Sequence, residues 1–134
     1  MQARRIHHLG VAVEDLDAAL TTYERLFGAE VEHRETVADQ GVEAASLRVG
    51  ESRVELLASL GEDTPVGKFL AKRGPGMHHV AYEVDDVRAA LAELAAEGVE
   101  LVDAEPRRGL FGLQVAFLHP DAVHGVLAEL VTDG

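Results

Sequence analysis

The 134-residue sequence contains no cysteine, and no run of apolar residues in it approaches the length of a membrane-spanning helix. The lack of cysteine excludes a disulfide framework and thiolate chemistry, so any metal site in this chain must use nitrogen and oxygen ligands. The first ten residues, MQARRIHHLG, lack the apolar core of a secretory signal. These absences favour a single cytoplasmic domain that has no membrane segment.

An excess of positive charge is also lacking, because 24 Asp and Glu residues outnumber 12 Lys and Arg residues and give a formal net charge of −12. A nucleic-acid-binding protein would show a basic face, so no nucleic-acid partner is expected. The basic residues are unevenly placed, with Lys68, Lys72 and Arg73 in one segment and Arg107 and Arg108 in another. An anionic ligand would need such local positive patches on an acidic chain.

What the sequence does contain is an internal repeat. The segment HHLGVAVEDLDAAL, which starts at His7, aligns without a gap with HHVAYEVDDVRAAL, which starts at His78. Further along, VELL (Val54–Leu57) aligns with AELV (Ala128–Val131). A solenoid needs about three or more repeats, so two copies predict a paired, pseudo-symmetric domain instead.

Each copy predicts the element order β-α-β-β-β. Hydrophobic alternation and helical spacing indicate strands at 5–13, 30–34, 42–49 and 53–57, with a helix from Leu16 to Phe27 that Gly28 ends. The second copy indicates strands at 77–84, 99–102, 113–118 and 125–131 and a helix at 86–97. We therefore expect one domain over residues 1–134, with modules 5–58 and 77–131 joined by a linker, 59–76, that holds a short helix.

Two histidines and two glutamates stand at repeat-equivalent positions. Alternation along the strands places His8 and His79 on the face opposite the bulky apolar residues. Glu55 and Glu129 each interrupt an apolar strand, where a buried carboxylate is costly unless it is paired or metal-bound. A lone strand histidine or glutamate is more often structural or solvated, but four at equivalent positions indicate one divalent-metal site with open coordination positions.

The segments IHHLGVAV, VELLASLGEDTPVGKFLAKRGPGMHHVAYEVDD and FLHPDAVHGVLAEL, together with DQGVEAASL, cover most of the chain. They resemble the vicinal oxygen chelate superfamily and, within it, the methylmalonyl-CoA epimerase family. The resemblance implies an α+β fold of two tandem βαβββ modules that form a pseudo-symmetric, cupped, eight-stranded mixed sheet. It also implies a divalent metal ion (Co, Mn, Ni or Zn) held by His8, Glu55, His79 and Glu129, a CoA-thioester substrate and a homodimer.

The implied reaction interconverts (R)- and (S)-methylmalonyl-CoA by removing and returning the C2 proton through a metal-stabilised enolate, with Glu129 as one base. Several relatives carry a second glutamate two residues after the QGV triplet, where this chain has Ala44, and Glu43 stands one place early. Because a one-residue shift in a strand moves a side chain to the other face, Glu43 is the predicted second catalytic residue only if a bulge re-aims it. Otherwise another group supplies the second acid.

Two other functions stay open at this point. One is a glyoxalase I-like, metal-dependent isomerase that acts on a glutathione adduct. The other is a metal-free small-molecule-binding or resistance protein of the same fold, against which the four intact ligand positions argue. Metal content separates this binding protein from the two enzymes, and loss of a C2 proton label from methylmalonyl-CoA separates the enzymes from each other.

Overall fold

The computed structural model describes residues 1–132 of the chain. The chain divides into two compact units: the first unit comprises residues 8–78, and the second unit comprises residues 1–7 together with the chain from His79 onward. Each unit is built around one β-α-β-β-β repeat, which confirms the predicted α+β class with two βαβββ modules. That the two modules form a single domain stays a prediction.

The first repeat begins with strand β1 (Arg5–Ala12) and helix α1 (Leu16–Phe27). It continues with β2 (Glu30–Val37), β3 (Val42–Val49), β4 (Ser52–Ser59) and the short helix α2 (Pro65–Arg73). The strand order is β2-β3-β4-β1, with β4 antiparallel to β3 and parallel to β1. The predicted bounds of α1 are confirmed, because Asp15 caps its first turn (3.0 Å from Ala18 N) and Gly28 ends it at a φ of 65°.

The second repeat contains β5 (Gly76–Glu83), α3 (Val87–Ala96), β6 (Arg107–Arg108), β7 (Gln114–Leu118) and β8 (Ala128–Thr132). Its strand order is β5-β8-β7-β6, and β8 runs parallel to β5 as β4 does to β1. Asp86 caps α3 through Ala89 N at 3.1 Å, at the position that corresponds to Asp15. None of the helices within residues 1–132 has the length and apolar composition needed to cross a membrane.

The helix of each repeat packs on one face of the strands of its own unit. In the first unit, Leu16 and Leu20 of α1 pack against Leu47 and Leu56 of the sheet. In the second unit, α3 packs in the same way on a cluster that includes Leu118 and Leu130. Side chains one position along each strand therefore lie on the face away from the helix.

The predicted strand at 99–102 is wrong. Leu101 makes only an isolated bridge to Leu118, and the strand that precedes β7 is Arg107–Arg108 instead. Asp103 explains the interruption, because its carboxylate accepts a hydrogen bond from Phe117 N at 2.8 Å, while Val102 N and Asp103 N both donate to Phe117 O. The Asp103 carboxylate thus accepts a hydrogen bond that a backbone carbonyl of the neighbouring strand would accept in a continuous ladder.

Candidate active site

The first His–Glu pair lies in the first unit, on the face of the sheet away from α1. The parallel register of β1 and β4 sets Gly10 beside Glu55, so that His8, two residues earlier on the same face, lies near the glutamate. His8 Nε2 lies 3.5 Å from Glu55 Oε2, and the two residues are only 3% and 5% exposed. The sequence prediction that His8 faces away from the bulky residues of β1 is confirmed, because Val11 packs on the α1 side.

The second pair repeats this arrangement within the second unit. Ala81 of β5 lies beside Glu129 of β8, and His79 lies two residues before Ala81. His79 Nε2 is 3.4 Å from Glu129 Oε1, and these side chains are also buried. Each unit therefore presents one imidazole and one carboxylate at the same place in its repeat.

The chemistry of each pair fits a divalent cation. Both distances exceed the 2.7–2.9 Å that is usual for a charge-assisted hydrogen bond. Two ligand atoms that each lie about 2.1 Å from one metal ion are separated from each other by roughly 3.0–3.4 Å. Imidazole nitrogen and carboxylate oxygen suit Zn, Mn, Co or Ni, and the lack of thiolate makes a purely structural zinc site a poor alternative.

The other member of each histidine pair lies on the helix-facing side. His7 is buried, at 6% exposure, and alternates with His8 along β1. His78 packs against the ring of Phe69 of α2, with ring centroids 5.0 Å apart. Both positions agree with the expectation that these two residues do not belong to the ligand set.

Two neighbours of the pairs were not identified from the sequence. Ser46 of β3 is buried and lies directly across from Glu55, on the same face. Phe117 of β7 lies across from Glu129, and its ring contacts that of His79 edge to face at 5.7 Å. Strand alternation alone could have placed both residues on the correct face, but the partner of each glutamate depends on a register that no local sequence signal specifies.

Glu43 lies on the other face of β3 from Ser46. Its partners across the sheet are Thr36 and Ala58, and its carboxylate lies 3.4 Å from both the Arg34 guanidinium and the Thr36 hydroxyl. Pairing of β3 with β4 is continuous from Val42 to Val49, so the bulge that would turn Glu43 toward Glu55 is absent. Catalysis by Glu43 stays a prediction, and this placement argues against it.

The two basic clusters differ in their surroundings. Arg107 pairs with Asp103 at 3.3 Å and lies over the Phe117 ring, with the guanidinium 5.4 Å from its centroid. Lys68, Lys72 and Arg73 occupy α2 and are exposed, and within residues 1–132 none of the three has an ion-pair partner. An anion could therefore contact the α2 cluster without displacing a carboxylate.

Comparison with known proteins identifies the family. Residues 7–117 match the model of the glyoxalase/bleomycin resistance protein/dioxygenase superfamily. The chain is 39% identical to the mitochondrial methylmalonyl-CoA epimerase of Bos taurus over 94% of this chain and 73% of that one. It is also 39% identical to the ethylmalonyl-CoA/methylmalonyl-CoA epimerase of Cereibacter sphaeroides, over 94% of this chain and 96% of that one.

Similar solved structures come from the same family as these relatives. A variant of Streptomyces coelicolor methylmalonyl-CoA epimerase in complex with 2-nitronate-propionyl-CoA superimposes with a TM-score of 0.95 at 43% identity, over 99% of this chain and 96% of that one. A methylmalonyl-CoA epimerase in complex with methylmalonyl-CoA and NH4+ gives the same TM-score, identity and coverage. The chain thus belongs to the methylmalonyl-CoA epimerase family, within the glyoxalase/bleomycin resistance protein/dioxygenase superfamily.

Proposed function

We propose that this protein interconverts the (R) and (S) forms of methylmalonyl-CoA by moving the proton at C2. The observation that carries the proposal is the matched buried His–Glu pair of each unit in a chain that belongs to this enzyme family. Solved relatives with a CoA thioester bound support the substrate class. The hypothesis of a glyoxalase-like function has no comparable support among the relatives described above.

The proposal includes a divalent cation held by His8, Glu55, His79 and Glu129. The equivalence of the two pairs in the repeat supports a shared cation, and their donor atoms suit Co, Mn, Ni or Zn. When bound, the cation would supply Lewis-acid stabilisation of negative charge on the substrate's oxygen atoms. A homodimer and a cytoplasmic location also remain predictions.

The side chains have distinct roles in this proposal. Glu129 removes the C2 proton from one epimer as a general base and returns a proton to the same side when the other epimer reacts. His79 and Phe117 contact or flank that carboxylate and restrict its orientation. Burial of the pair keeps water away from the carbon during proton transfer.

The proposed activity is tested with the metal-loaded protein and each epimer of methylmalonyl-CoA in deuterated water. We expect each epimer to invert and to acquire deuterium at C2, as measured by mass spectrometry and a stereospecific coupled assay. A glutathione hemithioacetal should not be isomerised under the same conditions. If neither epimer exchanges its C2 hydrogen, the epimerase proposal is wrong and the glyoxalase-like function becomes the better hypothesis.

The α2 cluster predicts where the CoA phosphates bind. Reversing charge in Lys68→Glu/Lys72→Glu should raise KM for the CoA ester more than it lowers kcat, because these side chains would attract the phosphates and take no part in proton transfer at C2. Arg25→Glu, at the last turn of α1, is the matched control, because Arg25 is likewise an exposed helical cation. Equal KM values for the double variant and the control would contradict this placement, and an increase only in Arg108→Glu would move the phosphates to the other cluster.

A further inference from the structure

Two arginines of the first unit lie on the face of the sheet that carries His8 and Glu55. The register places Arg48 of β3 directly across from Arg53 of β4, in the row next to Ser46 and Glu55. Side chains two residues apart on a strand share a face, and their backbones are about 7 Å apart. Both guanidinium groups therefore project from the row beside the glutamate of the first His–Glu pair.

One carboxylate holds both guanidinium groups. A bulge between Val31 and His33 shifts the register of β2, and Glu32 lies in this bulge. The Glu32 carboxylate accepts hydrogen bonds from Arg48 Nη2 and Arg53 Nε, each at 3.1 Å. Although burial raises the pKa of Glu32, the hydrogen bonds from the two arginines outweigh it and lower the pKa below its usual value. Glu32 therefore stays ionised near neutral pH and restrains both arginine side chains.

The cluster of Glu32, Arg48 and Arg53 carries an excess of positive charge. Like charges directly across from each other destabilise a pair of strands, and Glu32 compensates only one of the two cations. Arg34, which lies across from the helix-facing Ala45 on the other side of the sheet, has the reverse balance, because it contacts two carboxylates at 2.8 and 3.4 Å. In a chain with a net charge of −12, this half-buried, positive cluster favours an anionic ligand.

Three guanidinium nitrogens of the cluster are available to such a ligand. Arg48 donates to Glu32 through Nε and Nη2, and Arg53 donates through Nε. Within residues 1–132 neither guanidinium makes another hydrogen bond. The side chains of Arg48 and Arg53 are 39% and 21% exposed, so a ligand can reach them. The N–H groups of a guanidinium match the two oxygen atoms of a carboxylate, which makes a carboxylate a suitable ligand.

The order of residues along β4 indicates which part of the substrate this ligand is, and this step rests on the proposed function. The face of β4 that carries Glu55 presents Arg53 before it and Leu57 after it, and the chain then continues to α2. The CoA phosphates are proposed to bind the α2 cluster. With the thioester group at Glu55, the acyl end of the substrate would extend toward Arg53. The acyl group of methylmalonyl-CoA carries a free carboxylate, which supplies the anion.

We propose that Arg53, together with Arg48, binds the free carboxylate of the substrate and selects malonyl-type thioesters over acyl-CoA esters that lack this group. Neither arginine transfers a proton, because a guanidinium stays charged at the pH of the reaction. Glu32 is a positioning residue that holds the two side chains in place. The cluster thus determines specificity and leaves the chemistry at C2 to other groups.

Binding measurements separate this role from catalysis. An equilibrated mixture of the methylmalonyl-CoA epimers, and propionyl-CoA, which lacks only the carboxylate, are titrated by calorimetry into the metal-loaded wild type and into Arg53→Met. We expect the wild type to bind methylmalonyl-CoA more tightly than propionyl-CoA. Arg53→Met should weaken the binding of methylmalonyl-CoA about tenfold or more, the usual effect of losing a hydrogen bond between charged groups. Its affinity for propionyl-CoA should change less than about twofold.

Arg34→Met is the matched control, because it removes the same charge from an ion-paired arginine on the opposite face of the same sheet. It should change the affinity for either thioester by less than about twofold, as expected of a surface substitution away from the site. Arg48→Met gives a second test and should also reduce the preference for methylmalonyl-CoA. Thermal melts of the three variants would show that each is folded.

An equal loss of affinity for both thioesters in Arg53→Met would overturn the assignment, because it would place the CoA phosphates, which the two ligands share, at this cluster. Unchanged binding of methylmalonyl-CoA in Arg53→Met and Arg48→Met would overturn it as well. The proposed function survives both outcomes if the wild type still exchanges the C2 hydrogen in deuterated water. If the wild type neither exchanges this hydrogen nor prefers methylmalonyl-CoA, the proposed function fails, and the inference fails with it.

Discussion

Glu129→Gln should lower kcat for epimerisation about 10²- to 10⁴-fold, because the variant keeps an amide oxygen at the ligand position but loses the group that accepts the C2 proton. The side chain is buried and its carboxylate lies 3.4 Å from His79 Nε2, so the isosteric amide fits the same space. We expect KM to change little, since the substitution removes a group that acts on the reacting carbon. Rates should be measured for each epimer and normalised to bound metal.

The normalisation distinguishes loss of the base from loss of the cation. If the amide binds metal less tightly, added metal would restore occupancy without restoring the rate. The epimer whose proton faces Glu129 should also stop exchanging with deuterated water. A variant that turns over at near wild-type rate per bound metal would show that Glu129 is not the base.

His8→Ala and His79→Ala should each reduce bound divalent metal from about one equivalent per chain to close to none, because each removes an imidazole from a buried donor set. His7→Ala and His78→Ala should retain the metal, because these neighbours lie on the helix-facing side of β1 and β5. Elemental analysis of the four purified variants checks the prediction without any measurement of activity.

The paired design controls for general damage to the fold. His7 and His8 are both buried, at 6% and 3% exposure, so a loss of metal through unfolding should be similar in the two variants. Circular dichroism and a thermal melt of all four proteins would show whether each is folded. Metal loss in the His7 and His78 variants, with retention in the other two, would contradict the assigned faces of both strands.

Much of the fold could be predicted from short-range patterns. The bounds of α1 follow from Asp15 and Gly28, whose side chain and backbone conformation begin and end a helix locally. The faces of His8 and His79 follow from alternation with Val11 and Tyr82, which is also a local property. The membership of this chain in the epimerase family, and the epimerase activity proposed with it, was recognised from the resemblance of whole segments and not from any single spacing.

What could not be predicted depends on contacts between distant residues. Residues 99–102 contain enough apolar residues for a strand, but the Asp103 carboxylate, hydrogen-bonded to Phe117, interrupts the ladder. The position of Ser46 across from Glu55 depends on the register of β3 against β4. A one-residue error in that register would have moved Ser46 to the other face, and no property of β3 alone fixes it.

The parallel pairing of β1 with β4, and of β5 with β8, also bears on how the chain folds. In each repeat the histidine and its glutamate are roughly fifty residues apart in the sequence, and parallel pairing is among the slower contacts to form because loop closure comes first. The hairpin β3–β4 is joined by a tight turn at Gly50 and can form early and independently of β1. In the first repeat, Glu55 would then lie on a strand that is already paired, and His8, from an earlier part of the chain, would reach it only when β1 pairs with β4. A cation that needs both donors can stabilise only the late, native pairing and cannot guide the first steps of folding.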